Sequence, residues 1–341
     1  MKILSVAYPL LPVGADASGG SEQILYYIDR ALVEAGHDSI VIAQAGSQLS
    51  GRLIATRPPE GEVTDAVMQG LRAAHRNAVE SVLASESVDC IHFHGLDFAE
   101  YVRERNVRQI ATVHLPADWY PAGAFERHHL ELVCVSRSQA LGFPKSAVVI
   151  PNGVDGQKLQ RPPRRRDTLL WLGRVCPEKG VHLALEAAHR ANRPLVVAGP
   201  VHPFRFHYDY FDREVKPLLD DRRTYVGAVG LDGKADLLAR AQALLVPSLA
   251  QETSSLVAME ALAAGVPVIA FRSGALPEVV EHGRTGWIVD SISQMADAIG
   301  HVNDIREEDC REAARTRFSV RRMTAEYLTL YERRAINLDR G

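Results

Sequence analysis

Cysteine is scarce in this 341-residue sequence, and the four present, Cys90, Cys134, Cys176 and Cys310, lie far apart with no CxxC pair. A zinc knuckle and a redox dithiol both need closely spaced thiols, so the spacing excludes them and reduced thiols are expected. No run of about 18 apolar residues occurs, and no membrane span is expected. Basic charge is not in excess either: 39 Lys and Arg stand against 42 Asp and Glu, for a net charge of -3. General affinity for nucleic acid or acidic lipid is therefore not expected. Two glycine signatures are missing as well, the GxGxxG turn and the Walker lysine loop. Their absence removes the main support for a dinucleotide-dependent dehydrogenase or a P-loop NTPase. Thirteen histidines are present, with His92, His94, His114, His128 and His129 in one half. No HExxH or carboxylate-bearing ligand pattern accompanies them, so no metal is expected.

What the chain does contain is apolar matter in short, regularly alternating runs: 46% of it is hydrophobic and 24% charged. The N-terminus imitates a secretory signal, with Lys2, an apolar run and Ala15-Asp16-Ala17. Tyr8, Pro9 and Pro12 interrupt that run, and cleavage would remove the first core strand, so a cytoplasmic protein is expected. Short apolar runs alternate with amphipathic stretches, the pattern of strands crossed by helices in a parallel sheet. In the first half strands are expected at 2–8, 39–43, 90–94, 109–114, 132–136 and 148–150, with helices at 21–35, 63–84 and 98–105. The stretch 157–167, with Pro162-Pro163 and Arg164-Arg165-Arg166, has no apolar period and is read as a linker. Beyond it the alternation restarts, with strands at 169–173, 194–198, 224–226, 243–247, 266–271 and 287–289. Helices are expected at 180–190, 206–219, 234–240, 254–264, 293–302 and 307–316. A last helix from Val320 is periodic in Met323, Tyr327, Leu330 and Tyr331. The fold class is therefore α/β, with a first domain at 1–156, a linker at 157–167, a second domain at 168–319 and a C-terminal helix at 320–341. A cleft between two such domains is the first place to look for a ligand.

Three loops at strand ends carry candidate chemistry. The first, Gly14 to Ser21, puts Gly19-Gly20 ahead of a helix, where backbone N–H groups can meet an anion. The second, Gly173 to Gly180, brings Arg174 and Lys179 to one strand end. A planar fork and a mobile point charge suit the two phosphates of a diphosphate leaving group. The alternative is a surface Arg and Lys paired with Glu178. The third runs from Glu252 through Ser254, Ser255, Leu256 and Val257 to Glu260. A helix starting near Ser254 would leave the amides of Ser255 to Val257 open to phosphate, with Glu260 one turn beyond Leu256 on the same face. Carboxylates accept hydrogen bonds from sugar hydroxyls, and Glu252 is left to face that side. The loop containing His202, Phe204, Phe206, His207 and Tyr208 either borders a nucleotide or is packing.

At these residues the sequence resembles the retaining GT-B glycosyltransferases of family 4, the group that includes glycogen synthase-like and mannosyltransferase enzymes. The resemblance spans nearly the whole chain: Gly19-Gly20, His92-Phe93-His94-Gly95, Thr112-Val113-His114, Val149 to Asp155, Gly173-Arg174 to Lys179-Gly180, and Glu252-x7-Glu260. It implies two Rossmann-like domains facing a central cleft and a nucleotide diphosphate sugar as hexosyl donor. Arg174 and Lys179 would bind the diphosphate, Glu260 the ribose, Glu252 the transferred sugar and the Gly20 backbone the distal phosphate. His114 would lie beside the sugar, and the segment from Val320 would cross back onto the first domain. A carbohydrate, lipid or small molecule would be the acceptor, with no cofactor and no metal. One departure stands out: where the family has Pro-Phe-Gly after the first Glu, this chain has Thr253-Ser254-Ser255. A nucleotide-sugar 2-epimerase of related fold and a non-catalytic nucleotide-sugar-binding protein are the alternatives.

Overall fold

The computed structural model describes residues 1–333 except 62, 104–106, 127–128, 145 and 163–165. Contacts gather the chain into two units: Met1–Asn152 together with the chain from Val320, and Gly153–Ser319. In the first, strands β1 (Lys2–Val6), β2 (Asp38–Gln44), β3 (Arg52–Thr56), β4 (Cys90–Phe93), β5 (Arg108–Val113), β6 (Leu130–Cys134) and β7 (Val148–Val149) form one sheet. All pairs are parallel and the order is β3-β2-β1-β4-β5-β6-β7. Strands covered on both faces need continuous apolar runs, and Ile40 to Ala43 are all fully buried. Helices α1 (Gly20–Glu34), α2 (Asp65–Ser85) and the short α3 (Arg137–Ala140) accompany this sheet. Thr64 and Ser136 cap α2 and α3 by accepting from the N–H groups of Val67 and Gln139.

The second unit repeats the plan with β8 (Thr168–Leu172), β9 (Leu195–Ala198), β10 (Arg223–Tyr225), β11 (Ala241–Val246), β12 (Val268–Phe271) and β13 (Gly286–Val289). Its order is β10-β9-β8-β11-β12-β13, again all parallel. Helices α4 (Val181–Arg190), α5 (Arg205–Tyr210), α6 (Leu231–Arg240), α7 (Leu256–Ala263), α8 (Leu276–Val279), α9 (Ile292–Ile299) and α10 (Glu307–Arg317) complete it. Strand periodicity sorts its core into two layers. Leu170, Leu172, Leu244 and Val246 pack on one face, and Leu169, Trp171, Ala243 and Leu245 on the other. In both sheets the first strand is central, and the chain leaves it first to one side and then to the other. At such a switch point consecutive loops diverge beyond the carboxyl ends, leaving a crevice for a ligand.

The last helix, α11 (Val320–Glu332), belongs to the first unit. It buries Met323, Tyr327, Leu330 and Tyr331. Tyr331 Oη lies 2.6 Å from His92 Nδ1, and Tyr327 Oη 3.0 Å from Thr112 Oγ1. The Arg108 guanidinium donates to the carbonyls of Leu330 and Tyr331 at 2.7 and 3.1 Å, placing a cation on the negative end of the helix.

Several elements differ from the sequence expectation. The edge strand β3 was not anticipated, because its half-exposed residues lack a long apolar run. Of the helix expected at 98–105, a single 3-10 turn, Phe98–Glu100, forms, and 104–105 lie outside the described residues. The helix expected at 206–219 starts as α5, widens into a π turn at Phe211–Val215 and ends as a 3-10 turn at Lys216–Leu218. Pro217 has no N–H to continue an α ladder. The boundary between units falls at Asn152, ahead of the position expected from the sequence. The stretch read as a linker packs on the second unit. Leu159 is buried in its core, Arg161 pairs with Asp232 and Asp236, and Arg166 donates to the carbonyls of Ala264 and Gly265. Pro163, Arg164 and Arg165 lie outside the described residues.

The ends of β8 and β9 approach so closely that side chains are excluded. Gly199 has φ +148°, and a Cβ there would come within 1.7 Å of the Gly173 carbonyl oxygen. Gly199→Ala is expected to destabilise the protein by about 2–4 kcal/mol. Calorimetry that finds an unchanged unfolding temperature would contradict this close approach.

Candidate functional site

Of the eleven candidate residues, Gly19, Gly20 and His114 lie in the first unit and the other eight in the second. In the second unit they sit beyond the carboxyl ends of β8 and β11, the two strands that flank the switch point. The loop after β8 makes a 3-10 turn at Pro177–Lys179 and enters α4 through Gly180. Gly180 has φ +65°, and a Cβ there would lie 2.2 Å from the Pro247 carbonyl oxygen at the end of β11. Hydrogen bonds tie the same two loops together: the Glu178 carbonyl accepts from the N–H of Leu249 at 2.8 Å and from the Ser248 hydroxyl at 3.2 Å. Lys179 Nζ is thereby brought to 2.6 Å from Glu252 Oε1. The surface-pair alternative had Glu178 as the anion, whereas Lys179 pairs with the carboxylate from the opposite loop.

Glu252 is 9% exposed, and its backbone is fixed by the Ala275 N–H, which donates to its carbonyl at 2.7 Å. Helix α7 starts at Leu256, later than the expected Ser254, because Ser255 adopts a left-handed conformation, φ +63° and ψ +73°. That backbone ordinarily favours glycine, and a serine held there costs about 1–2 kcal/mol. The consequence for the amides is small. Ala258 N–H donates back to the Ser255 carbonyl, while those of Ser255, Leu256 and Val257 take no backbone acceptor among the described residues. Ser254 is buried beside them, and the buried Ser255 Oγ has no hydrogen-bond partner. One turn further on, Glu260 Oε1 receives Lys234 Nζ at 2.6 Å, while its buried Oε2 has no partner. Lys234 was missed by sequence reasoning. It stands in α6 with no motif around it, and its one signal is rarity, in a chain that carries Arg far more often than Lys.

The Glu178 side chain has other neighbours. Ligand atoms of Cys176, Glu178 and His207 lie within 4.8 Å of one another, a group able to hold a metal ion. No spacing in the sequence revealed it, because His207 comes from α5. Burial pushes the Cys176 thiol up to about 12. Burial would also raise the Glu178 carboxyl, but its own N–H, the Cys176 thiol and Arg174 together hold it below the usual range. Burial lowers His202 and His207, and the Arg174 charge lowers both further, while the Glu178 carboxylate raises His207. On the same segment Phe204, Phe206 and Tyr208 are exposed, whereas His207 and Tyr210 are buried.

In the first unit Gly19 caps α1 with an extended backbone and Gly20 begins the helix. A Cβ on Gly19 would meet the end of the Glu22 side chain, Oε2, at 1.9 Å, so a substitution there must displace that carboxyl. Glu22 is a buried carboxyl that sequence reasoning passed over; burial raises its pKa, and Ser21 Oγ donates to it at 2.9 Å. His114 follows β5, with its Nε2 3.3 Å from His94 Nδ1. Burial lowers His114 to about 4 and His92 to about 3, and carries His94 well down, so all three rings are neutral at pH 7. His92 is engaged on both nitrogens, by Tyr331 and Thr112, and acts as a tie between α11 and the sheet.

Comparison with known proteins accounts for this arrangement. The family described as Glycosyltransferase Family 4 matches residues 18–158, and the one described as Glycosyl transferases group 1 matches residues 166–304. Glycogen synthase of Mycobacterium tuberculosis is 26% identical over 96% of this chain and 91% of its own length. The gpi3 subunit of phosphatidylinositol N-acetylglucosaminyltransferase from Schizosaccharomyces pombe is 24% identical over 83% of this chain and 70% of its own. Among solved structures, sucrose-phosphate synthase from Thermosynechococcus elongatus superposes with a TM-score of 0.82 at 20% identity, covering 97% of this chain and 98% of that one. HepE of Anabaena, solved with UDP and glucose, gives 0.77 at 16% identity over 98% and 100%. The two successive parallel sheets are thus the GT-B glycosyltransferase fold, and the chain belongs to the group 1, family 4 glycosyltransferases.

Proposed function

We propose that this glycosyltransferase moves a hexosyl unit from a nucleotide diphosphate sugar to a carbohydrate, lipid or small-molecule acceptor, retaining the anomeric configuration and using no metal. The observation that carries the reading is the Lys179–Glu252 pair of 2.6 Å at the switch point of the second sheet. A diphosphate entering there competes with Glu252 for the ammonium. Lys179 then turns to phosphate oxygen, and the carboxylate is released to accept hydrogen bonds from sugar hydroxyls. Arg174 adds a second cation from the same loop, and the amides of Ser255, Leu256 and Val257 add the positive end of α7. Glu260 takes the ribose. The Gly20 backbone takes the distal phosphate and the neutral His114 lies beside the sugar. HepE, with UDP-glucose as well as with UDP and glucose, supports a nucleoside diphosphate hexose as the donor class.

In this mechanism the donor phosphate leaves and, on the same face of the sugar, accepts the proton of the attacking acceptor hydroxyl. Charge on its oxygens rises as the glycosidic bond breaks, so contacts from Arg174 and Lys179 strengthen towards the transition state. Two cations and a helix end supply that stabilisation without a divalent ion. Activity is accordingly expected to survive EDTA; loss on chelation with recovery on adding Mg²⁺ or Mn²⁺ would exclude metal independence. Proton NMR of the first-formed product should show the anomeric configuration of the donor, and inversion would rule out the same-face mechanism.

The two ends of the donor should respond differently to mutation. Ribose changes little during reaction, so Glu260→Ala should mainly raise the donor KM. Lys179→Ala should lower kcat by about 10²-fold, as other lost charge-stabilising donors do. Steady-state kinetics on variants shown to be folded separate the two. An unchanged kcat for Lys179→Ala would remove the diphosphate role from this loop.

A further inference from the structure

We infer that Lys234 is a positioning residue for the donor's ribose, holding one oxygen of Glu260 so that the other selects ribonucleoside over 2′-deoxyribonucleoside diphosphates. The inference rests on the donor reading proposed above and deepens it. Lys234 projects from α6 and Glu260 from α7, and the two side chains are only 15% and 7% exposed. Their contact, Nζ to Oε1 at 2.6 Å, occupies one carboxylate oxygen. The other, Oε2, is buried and without a partner. An ionised carboxylate can only accept hydrogen bonds, so what satisfies Oε2 must bring a donor. Leaving a buried polar atom unpaired is costly, and a ligand hydroxyl reaching Oε2 would remove that cost. A ribose edge presents two adjacent hydroxyls, and a 2′-deoxyribose one.

Lys234 matters here through geometry as much as through charge. A carboxylate without its clamp rotates about its terminal torsion, which has broad wells, and can turn either oxygen to the ligand. With Oε1 held, the free lone pairs of Oε2 are aimed, and a sugar lacking one hydroxyl leaves one of them unmet. Sites built to bond a hydroxyl reject the analogue that lacks it far more strongly than apolar pockets reject an extra one.

Isothermal titration of the full chain with UDP, GDP and ADP, then with the 2′-deoxy form of whichever binds, tests this directly. The ribonucleotide should bind the parent protein at least about tenfold tighter, the worth of a hydrogen bond to a charged group. Lys234→Met should weaken the ribonucleotide by a similar factor and bring the two within about threefold, while Lys234→Arg should keep most of the discrimination. Equal binding of both forms by the parent protein overturns the inference, whether or not any variant folds. So does a folded Lys234→Met protein that keeps the parent ratio, since a merely structural lysine would leave that ratio unmoved. Failure of all three ribonucleotides to bind the parent overturns the donor reading itself and this inference with it.

Discussion

An all-parallel sheet has one chemical edge. Every strand points its carboxyl end the same way, so every loop that follows a strand is delivered to the same side. The order of strands then decides which loops part company. In the second unit that pair is the loop after β8, carrying Arg174 and Lys179, and the loop after β11, carrying Glu252 and Ser254 to Val257. Their proximity is enforced by missing side chains more than by attractive contacts. Gly180 of the first loop lies against the Pro247 carbonyl at the end of β11 with no room for a Cβ, and Gly274 against the Glu252 carbonyl and Gly199 against the Gly173 carbonyl fix the neighbouring strand ends in the same way. With backbone packed against backbone, the ammonium of Lys179 meets Glu252 without any long side chain reaching across open solvent.

Two ion pairs follow from that architecture, and neither is well explained as a stabilising device. Withdrawing charges from water costs several kcal/mol per ion, and a well-packed apolar pair of similar volume is often as stable. Lys179–Glu252 and Lys234–Glu260 are nonetheless enclosed, with the carboxylates 8% and 7% exposed. On the donor reading proposed above, each pair instead holds a group in the orientation a ligand needs. In the proposed mechanism the first exchanges, a phosphate taking the lysine and releasing the carboxylate. The second keeps its contact and offers the remaining oxygen. Ser255 belongs with them, because it keeps a left-handed backbone at the cost of strain at the start of α7, where the proposed phosphate contacts lie.

Much of this was legible from residues alone, for a definite reason. Strands buried on both faces must be apolar throughout, so β1, β2, β4, β5, β8, β9, β11 and β12 announce themselves. Loops that begin helices carry glycines and charges that stand out against them. What escaped lacked such contrast. β3 is half exposed and reads as polar; α3 is a single turn; Pro217 ends a helix whose widening to a π turn has no sequence mark. Within the site, the strand-end motifs gave Arg174, Lys179, Glu252 and Glu260. The partner of each carboxylate depends on tertiary approach, and Lys234 and the Cys176–Glu178–His207 group come together only when separate elements fold.

The substitution of serine for the family's glycine at 255 shows how far backbone geometry outlasts sequence. A left-handed residue at that point turns the chain from the Glu252 loop into α7 and leaves the first amides of the helix without a backbone acceptor among the described residues. Glycine adopts that conformation freely, whereas serine must be forced into it by its surroundings. Here the surroundings are Ala275, which fixes the Glu252 carbonyl, and the buried apolar face of α7, whose Ala258, Met259, Ala261 and Leu262 lie in the core. The helix therefore cannot shift by a residue to relax Ser255 without dragging that face, and Glu260 with it, out of register. Geometry at the proposed phosphate end of the site and geometry at the proposed ribose end are thus fixed by one rigid helix. A strained serine is kept at its start because both ends depend on where that helix begins.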